Sequence, residues 1–335
     1  MPLAMMLHLD SIFGFGVEGN GADMMETTDV NENERSQGVH GRQEAEEGAA
    51  AGRPGAGWIG ALTLILMCGL CVPAAGQKIP IEGLGIGGGQ KAAGPGVRVK
   101  SVLVNQIKEV GADLVSITGP GRHREPAHAR LAVVWLVLDG KGTLKTKGAS
   151  YKVDGETVAR APQGYGWEIE AAAGETIHAL RVKRELTAED LKEFAKYPRN
   201  NAGPLVKRFS ECEPYREAIK SPKTVSRTLL PENFVPRMAM GTVETTGPDK
   251  VGEHRHPMLE QLFLGLKEND ITVTADEARA NLTQFSILHI PLGSNHGAEV
   301  AGGRKLHYVW MDFFMEKKGQ EWLKMHEPIE PGTKK

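Results

Sequence analysis

The segment "GEHRHPMLEQLF", Gly252 to Phe263, places two histidines and a glutamate within an otherwise apolar stretch. On a helix, His254, His256 and Glu260 would not share a face. On a strand they do, because side chains alternate and all three positions are even, with Leu262 and Leu264 following on the same side. Two imidazoles and a carboxylate converging on one point are donors that suit a divalent metal ion. A histidine-rich strand edge that binds nothing is the competing reading, and the elements around the segment must decide between the two.

Those elements read as strands. From Lys100 onward, short apolar runs rich in β-branched residues are separated by Gly, Asp and Asn, as in "LAVVWLVLDGKGTL" and "SYKVDGETVARAP". Regular spacing of this kind predicts an antiparallel sandwich or barrel. The pattern breaks at "LTAEDLKEFAKYPRNNAGP", where Thr187 and Asp190 form a capping pattern, Leu191, Phe194 and Ala195 recur at helical spacing, and Pro198 ends the helix. Strand texture resumes at "KTVSRTLL". The two strand-rich regions superpose with a shift of 128 to 129 residues, "WLVLDGKGTL" on "FLGLKENDITV" and "TIHALRV" on "KLHYVWM". Repetition at this length predicts two copies of one domain.

About 30 residues after the opening segment, "HIPLGSNHGAEV" supplies Pro291, Gly293 and His296. With H-x-H-x3-E before it, this P-x-G-x2-H pattern resembles the two motifs of the cupin superfamily. The resemblance implies an all-β protein of two jelly-roll barrels, a bicupin, joined by a short helical connection. It further implies that His254, His256, Glu260 and His296 are metal ligands. Gln261 would then point away from the ion, in a packing or supporting role. At the equivalent places the first copy has Pro126, His128, Ala132 and Trp167, so one ligand type of four survives, and Trp167 would fill the space of the ion. Three imidazoles and one carboxylate suit Mn, Fe, Ni, Co or Zn, and octahedral geometry would leave two positions for substrate.

Residues 57–76, "GWIGALTLILMCGLCVPAAG", have an apolar core of about fifteen residues followed by small residues, which reads as a signal peptide cleaved near Gln77 rather than as a bilayer span. Export to the periplasm or exterior is the expectation. The domain reading is then 1–56 as a disordered or mis-assigned extension, 57–76 as signal, 77–99 as a Gly-rich arm and 100–186 as a metal-free barrel. Residues 187–222 read as the helical linker, 223–320 as the metal-binding barrel and 321–335 as a tail. Beyond residue 76 the chain keeps 37 basic against 32 acidic residues, a thin excess that argues against nucleic acid as a partner. Of three cysteines only Cys212 lies beyond the signal, so the mature chain has no intramolecular disulfide.

These features predict a metalloenzyme of dioxygenase, isomerase or hydrolase type acting on a small polar organic molecule, compatible with homo-oligomerisation and free of the membrane after cleavage. The alternative is a non-catalytic, metal-dependent sugar- or acid-binding or structural protein of the envelope. His289, Glu299 and Tyr308 are the candidate acid or base groups, whereas His307, matched by His178 in the first copy, reads as structural.

Overall fold

A computed structural model describes residues 78–87, 96–256 and 258–323. The readings placed on residues 1–77, on part of the arm and on the tail beyond 323 lie outside the described residues.

Each strand-rich region folds as one large and one small sheet, and every strand pairing is antiparallel. In the first barrel the six-stranded sheet runs Leu205–Arg208, Thr157–Arg160, Leu131–Asp139, Thr176–Glu185, Val110–Thr118, Gly96–Val102. Its four-stranded partner runs Arg122–Glu125, Trp167–Ala171, Lys141–Thr146, Ala149–Asp154. In the second barrel the seven-stranded sheet runs Ile81–Gly83, Ser286–Ile290, Leu259–Gly265, Lys305–Phe314, Met238–Thr246, Val225–Val235, Glu213–Tyr215. The small sheet opposite it runs Asp249–Arg255, Asn295–Val300, Asp270–Ala275, Ala278–Thr283. The chain is thus all-β with the jelly-roll layout of two barrels.

The two large sheets pack back to back. This explains why "LAVVWLVL" is a continuous apolar run rather than an alternating one, since both faces of the strand are buried. Val133, Trp135 and Val137 point into the first barrel. Ala132, Val134, Leu136 and Leu138 point out of it, into one core with Met240, Leu262, Leu264, Met311 and Phe313 of the second. The same rule of alternation sends Phe263 and Tyr308 inward.

Polar contacts lock the junction. The helix Ala188–Lys196 begins with the predicted capping box, in which Thr187 Oγ1 accepts from Asp190 N at 3.2 Å and Asp190 Oδ2 accepts from Thr187 N at 2.9 Å. Arg237, on the turn between Val225–Val235 and Met238–Thr246, donates to both oxygens of that carboxylate at 2.8 and 2.6 Å and to Glu109 at 3.0 Å. Arg184, on a first-barrel strand, donates to the Phe314 carbonyl at 2.9 Å.

The connecting segment departs from its reading as helix and loop. Leu205–Arg208 joins the first barrel's large sheet and Glu213–Tyr215 joins the second's. The Gly-rich arm likewise supplies Ile81–Gly83, paired with Ser286–Ile290 of the second barrel. Both segments are short and carry no alternation to read, so their pairing is set by the sheet edges they meet.

Burial alone would raise the Asp190 carboxyl, but hydrogen bonds from Arg237 and Thr187 outweigh it and hold the group below its ordinary value. Its contribution to stability is therefore present above the unfolded value of about 4 and lost as pH falls through the lower folded value. Below about pH 4 the urea midpoint of the wild-type protein should fall steeply. The fall should be shallower in Arg237→Ala; equal slopes in the two proteins would exclude this contact from the acid transition.

Candidate metal centre and its cavity

His254 lies near the end of Asp249–Arg255 and is paired in register with His296 at the start of Asn295–Val300, while His256 follows directly after the first strand. A register irregularity between Val251 and His254 separates this pair from the ladder below it. All three imidazoles are buried, and their ligand nitrogens lie within 4.8 Å of one another. Ring centroids are 4.4 to 5.3 Å apart.

Two of the rings are oriented by the backbone. Nδ1 of His254 lies 2.8 Å from the Gly252 carbonyl and Nδ1 of His296 lies 3.1 Å from that of Ser294. A carbonyl can only accept, so Nδ1 carries the proton in each ring, and Nε2 is the nitrogen that could bind an ion. Metal-binding histidines are commonly oriented in this way, and the donor set fits a divalent ion.

Glu260 does not join this group, contrary to the sequence expectation. The chain leaves one sheet at Arg255 and enters another at Leu259, and the change of sheet resets the alternation. Within Leu259–Gly265 it is Gln261 and Phe263 that face the barrel, whereas Glu260 shares the outward side with Leu262 and Leu264. There it pairs with His289 Nε2 at 2.7 Å. Its counterpart Ala132 also faces the core between the barrels.

His289 is therefore turned away from the triad, a correction to its reading as an acid or base at the mouth. Glu299 is exposed on the outer side of its strand, since His296, Ala298 and Val300 take the inner side. Tyr308 is inside and stacks on Phe263 at 4.9 Å, but burial pushes its phenol well above the ordinary value, so it stays protonated at neutral pH. His307 faces the first barrel, 3.8 Å from Glu156.

A cavity of about 260 Å³ opens beside the imidazoles, lined by His254, His256, Gln261, Phe263, Trp310 and Asp312 among others. Asp312 is buried, accepts a 2.7 Å hydrogen bond from Gln261 Nε2, and is pushed up by burial to about 7. An aspartate inside "HYVWMDFF" is a sequence signal that could have identified it, because an acid in a doubly buried strand needs a reason.

The connecting segment crosses the mouth. Ile219 accepts from Gly252 N at 2.8 Å, and Tyr215 accepts from Trp310 Nε1 at 3.1 Å. Lys220 is buried and pairs with Glu217. Burial lowers its ammonium pKa, with the acid acting against that shift. Nothing periodic marks Tyr215, Glu217 or Lys220 in the sequence.

The first barrel is filled instead. Trp167 is buried in its interior core. Beside it, Glu125 accepts from Arg181 at 2.5 and 2.7 Å and lies 2.8 Å from His128, and Arg181 and Lys183 meet Asp113 at 2.9 and 2.7 Å. The space left beside Glu125, His128 and Trp167 is about 20 Å³.

No family model and no curated protein matches the sequence. Solved structures do match in fold. A putative glyoxylate-induced protein from Pseudomonas aeruginosa is 11% identical with a TM-score of 0.54, over 64% of this chain and 79% of that one. A cupin 2 conserved barrel domain protein from Leptotrichia buccalis is 12% identical, TM-score 0.45, over 65% and 88%. A mutant of Bacillus subtilis oxalate decarboxylase OxdC is 14% identical, TM-score 0.48, over 70% and 78%. The likeness to the first of these, at a TM-score above 0.5, is one of fold alone.

Gly241 leaves room for the Trp310 ring, because a Cβ there would stand 2.4 Å from it. Gly241→Ala should destabilise the protein by about 1–3 kcal/mol, through overpacking, and change the near-ultraviolet circular dichroism of the tryptophans. Unchanged unfolding and spectrum would show that the ring has another place to go.

Proposed function

We propose that the chain is an exported metalloenzyme that holds one divalent transition-metal ion in its second barrel, through His254, His256 and His296, and acts on a small polar organic molecule. One observation carries this reading: three buried imidazoles cluster together, two of them oriented by backbone carbonyls, and two of the three, His254 and His256, line a cavity that side chains do not fill. A structural protein whose ion only braced the barrel would not need that space. Export rests on the apolar segment 57–76 with its small-residue end.

The donor set admits Mn, Fe, Ni, Co or Zn. Bound there, such an ion would act as a Lewis acid that polarises an oxygen of the substrate. The residues supply the rest. Phe263 and Trp310 give the cavity apolar walls that exclude water, and Asp312 is the acidic group placed to hold or pass a proton inside it. Lys220, tied to Glu217 and Tyr215 across the mouth, places a positive charge where a polar substrate enters. Proton transfer of this kind serves isomerase- and hydrolase-type reactions best.

His256→Ala should abolish stoichiometric metal in the purified protein, measured by elemental analysis, while circular dichroism shows the barrels intact. Metal content equal to wild type would refute the assignment.

A further inference from the structure

Gln261 stands at the junction of the observations above. It is buried on the inner face of Leu259–Gly265, two residues before Phe263, whose ring lies 5.9 Å from that of His296, and it lines the same cavity as His254 and His256. Its amide nitrogen donates to Asp312 at 2.7 Å. With Asp312 ionised, its carboxylate accepts only from the nitrogen end of the amide, so the carbonyl oxygen is turned the other way. That oxygen, Oε1, is buried and has no hydrogen-bond partner. Leaving such an acceptor unsatisfied costs about 1–3 kcal/mol, which calls for a partner.

The first barrel shows the pair is not a requirement of the fold. Gln261 sits across from Asp312 and Phe263 across from Trp310. In the same ladder of the first barrel, Val133 sits across from Lys183 and Trp135 across from Arg181. Where the imidazole triad is missing, both the amide and its acid are missing too.

We propose that Gln261 Oε1, held in place by Asp312, is the fourth protein donor to the ion that the three imidazoles bind, an inference that rests on the metal reading above. An amide oxygen is a neutral donor compatible with imidazole at a transition metal. A set of three imidazoles and one amide leaves both positive charges of the ion uncompensated, so its open positions favour anionic ligands over neutral ones. Small oxyanions such as carboxylates are the substrate class this selects.

The test is a Co²⁺ titration of the full chain after removal of bound metal, read by visible absorption and by competition with a chelator, followed by azide titration of the Co²⁺ protein. Wild type should bind one equivalent, and Glu260→Gln should match it within about twofold. Gln261→Leu should weaken Co²⁺ binding roughly 10–100-fold and change the spectrum, and Gln261→Asn, which keeps the amide but withdraws its oxygen, should do so if the leucine variant fails to fold. Gln261→Glu should retain Co²⁺ yet bind azide about tenfold more weakly, because an anionic donor reduces the charge the azide sees. Wild-type Co²⁺ affinity and spectrum in the Gln261 variants, or loss of binding in Glu260→Gln, would overturn the assignment while leaving the triad standing. Azide affinity unchanged in Gln261→Glu would overturn the preference for anions. A wild-type protein that binds no Co²⁺ would overturn the metal reading itself.

Discussion

The constraint from which the rest follows is the apolar face that the two large sheets share. Leu136 and Leu180 from one barrel and Met240, Leu264 and Phe313 from the other belong to a single core. A strand has two faces only, and one is committed to this contact. The residues left to face each barrel are then fixed by parity, strand by strand. Gln261, Trp310 and Asp312 are inside for that reason, and Glu260 is outside for the same reason. A slip of one residue would put the acid where the amide is and bury polar groups between the sheets.

Within that frame the two barrels treat buried charge in opposite ways. In the first, Glu125, Asp113, Arg181 and Lys183 neutralise one another and Trp167 fills most of what remains. Buried ions of opposite sign that meet directly need nothing from outside. In the second, three imidazoles cluster together, and Asp312, an acid lining the same cavity, is met by an amide. Imidazoles gathered in this way are the donor set an ion would use.

The segment between the barrels has a role of its own. It is not part of the repeated unit, yet its short strand extends the second barrel's large sheet and its following turn crosses the mouth. Tyr215 and Lys220 reach the cavity from outside the barrel wall, so the chemistry of the entrance is independent of the ladder that holds the imidazoles. The barrel can keep its triad fixed while the strap sets what enters.

The sequence by itself determined the class of the fold, its duplication and the closeness of His254 and His256. Those depend on local periodicity, turn residues and a repeat of constant length, all of which are written in consecutive residues. It also pointed to His296, through a resemblance of motif. The choice between Glu260 and Gln261 was made only by tertiary structure. Alternation carries along one strand, and the change from the sheet that holds Asp249–Arg255 to the one that holds Leu259–Gly265 erases the count. Asp312, Tyr215 and Lys220 reach the site from a distant strand and from an aperiodic strap, and only the packing of the two barrels brings them there.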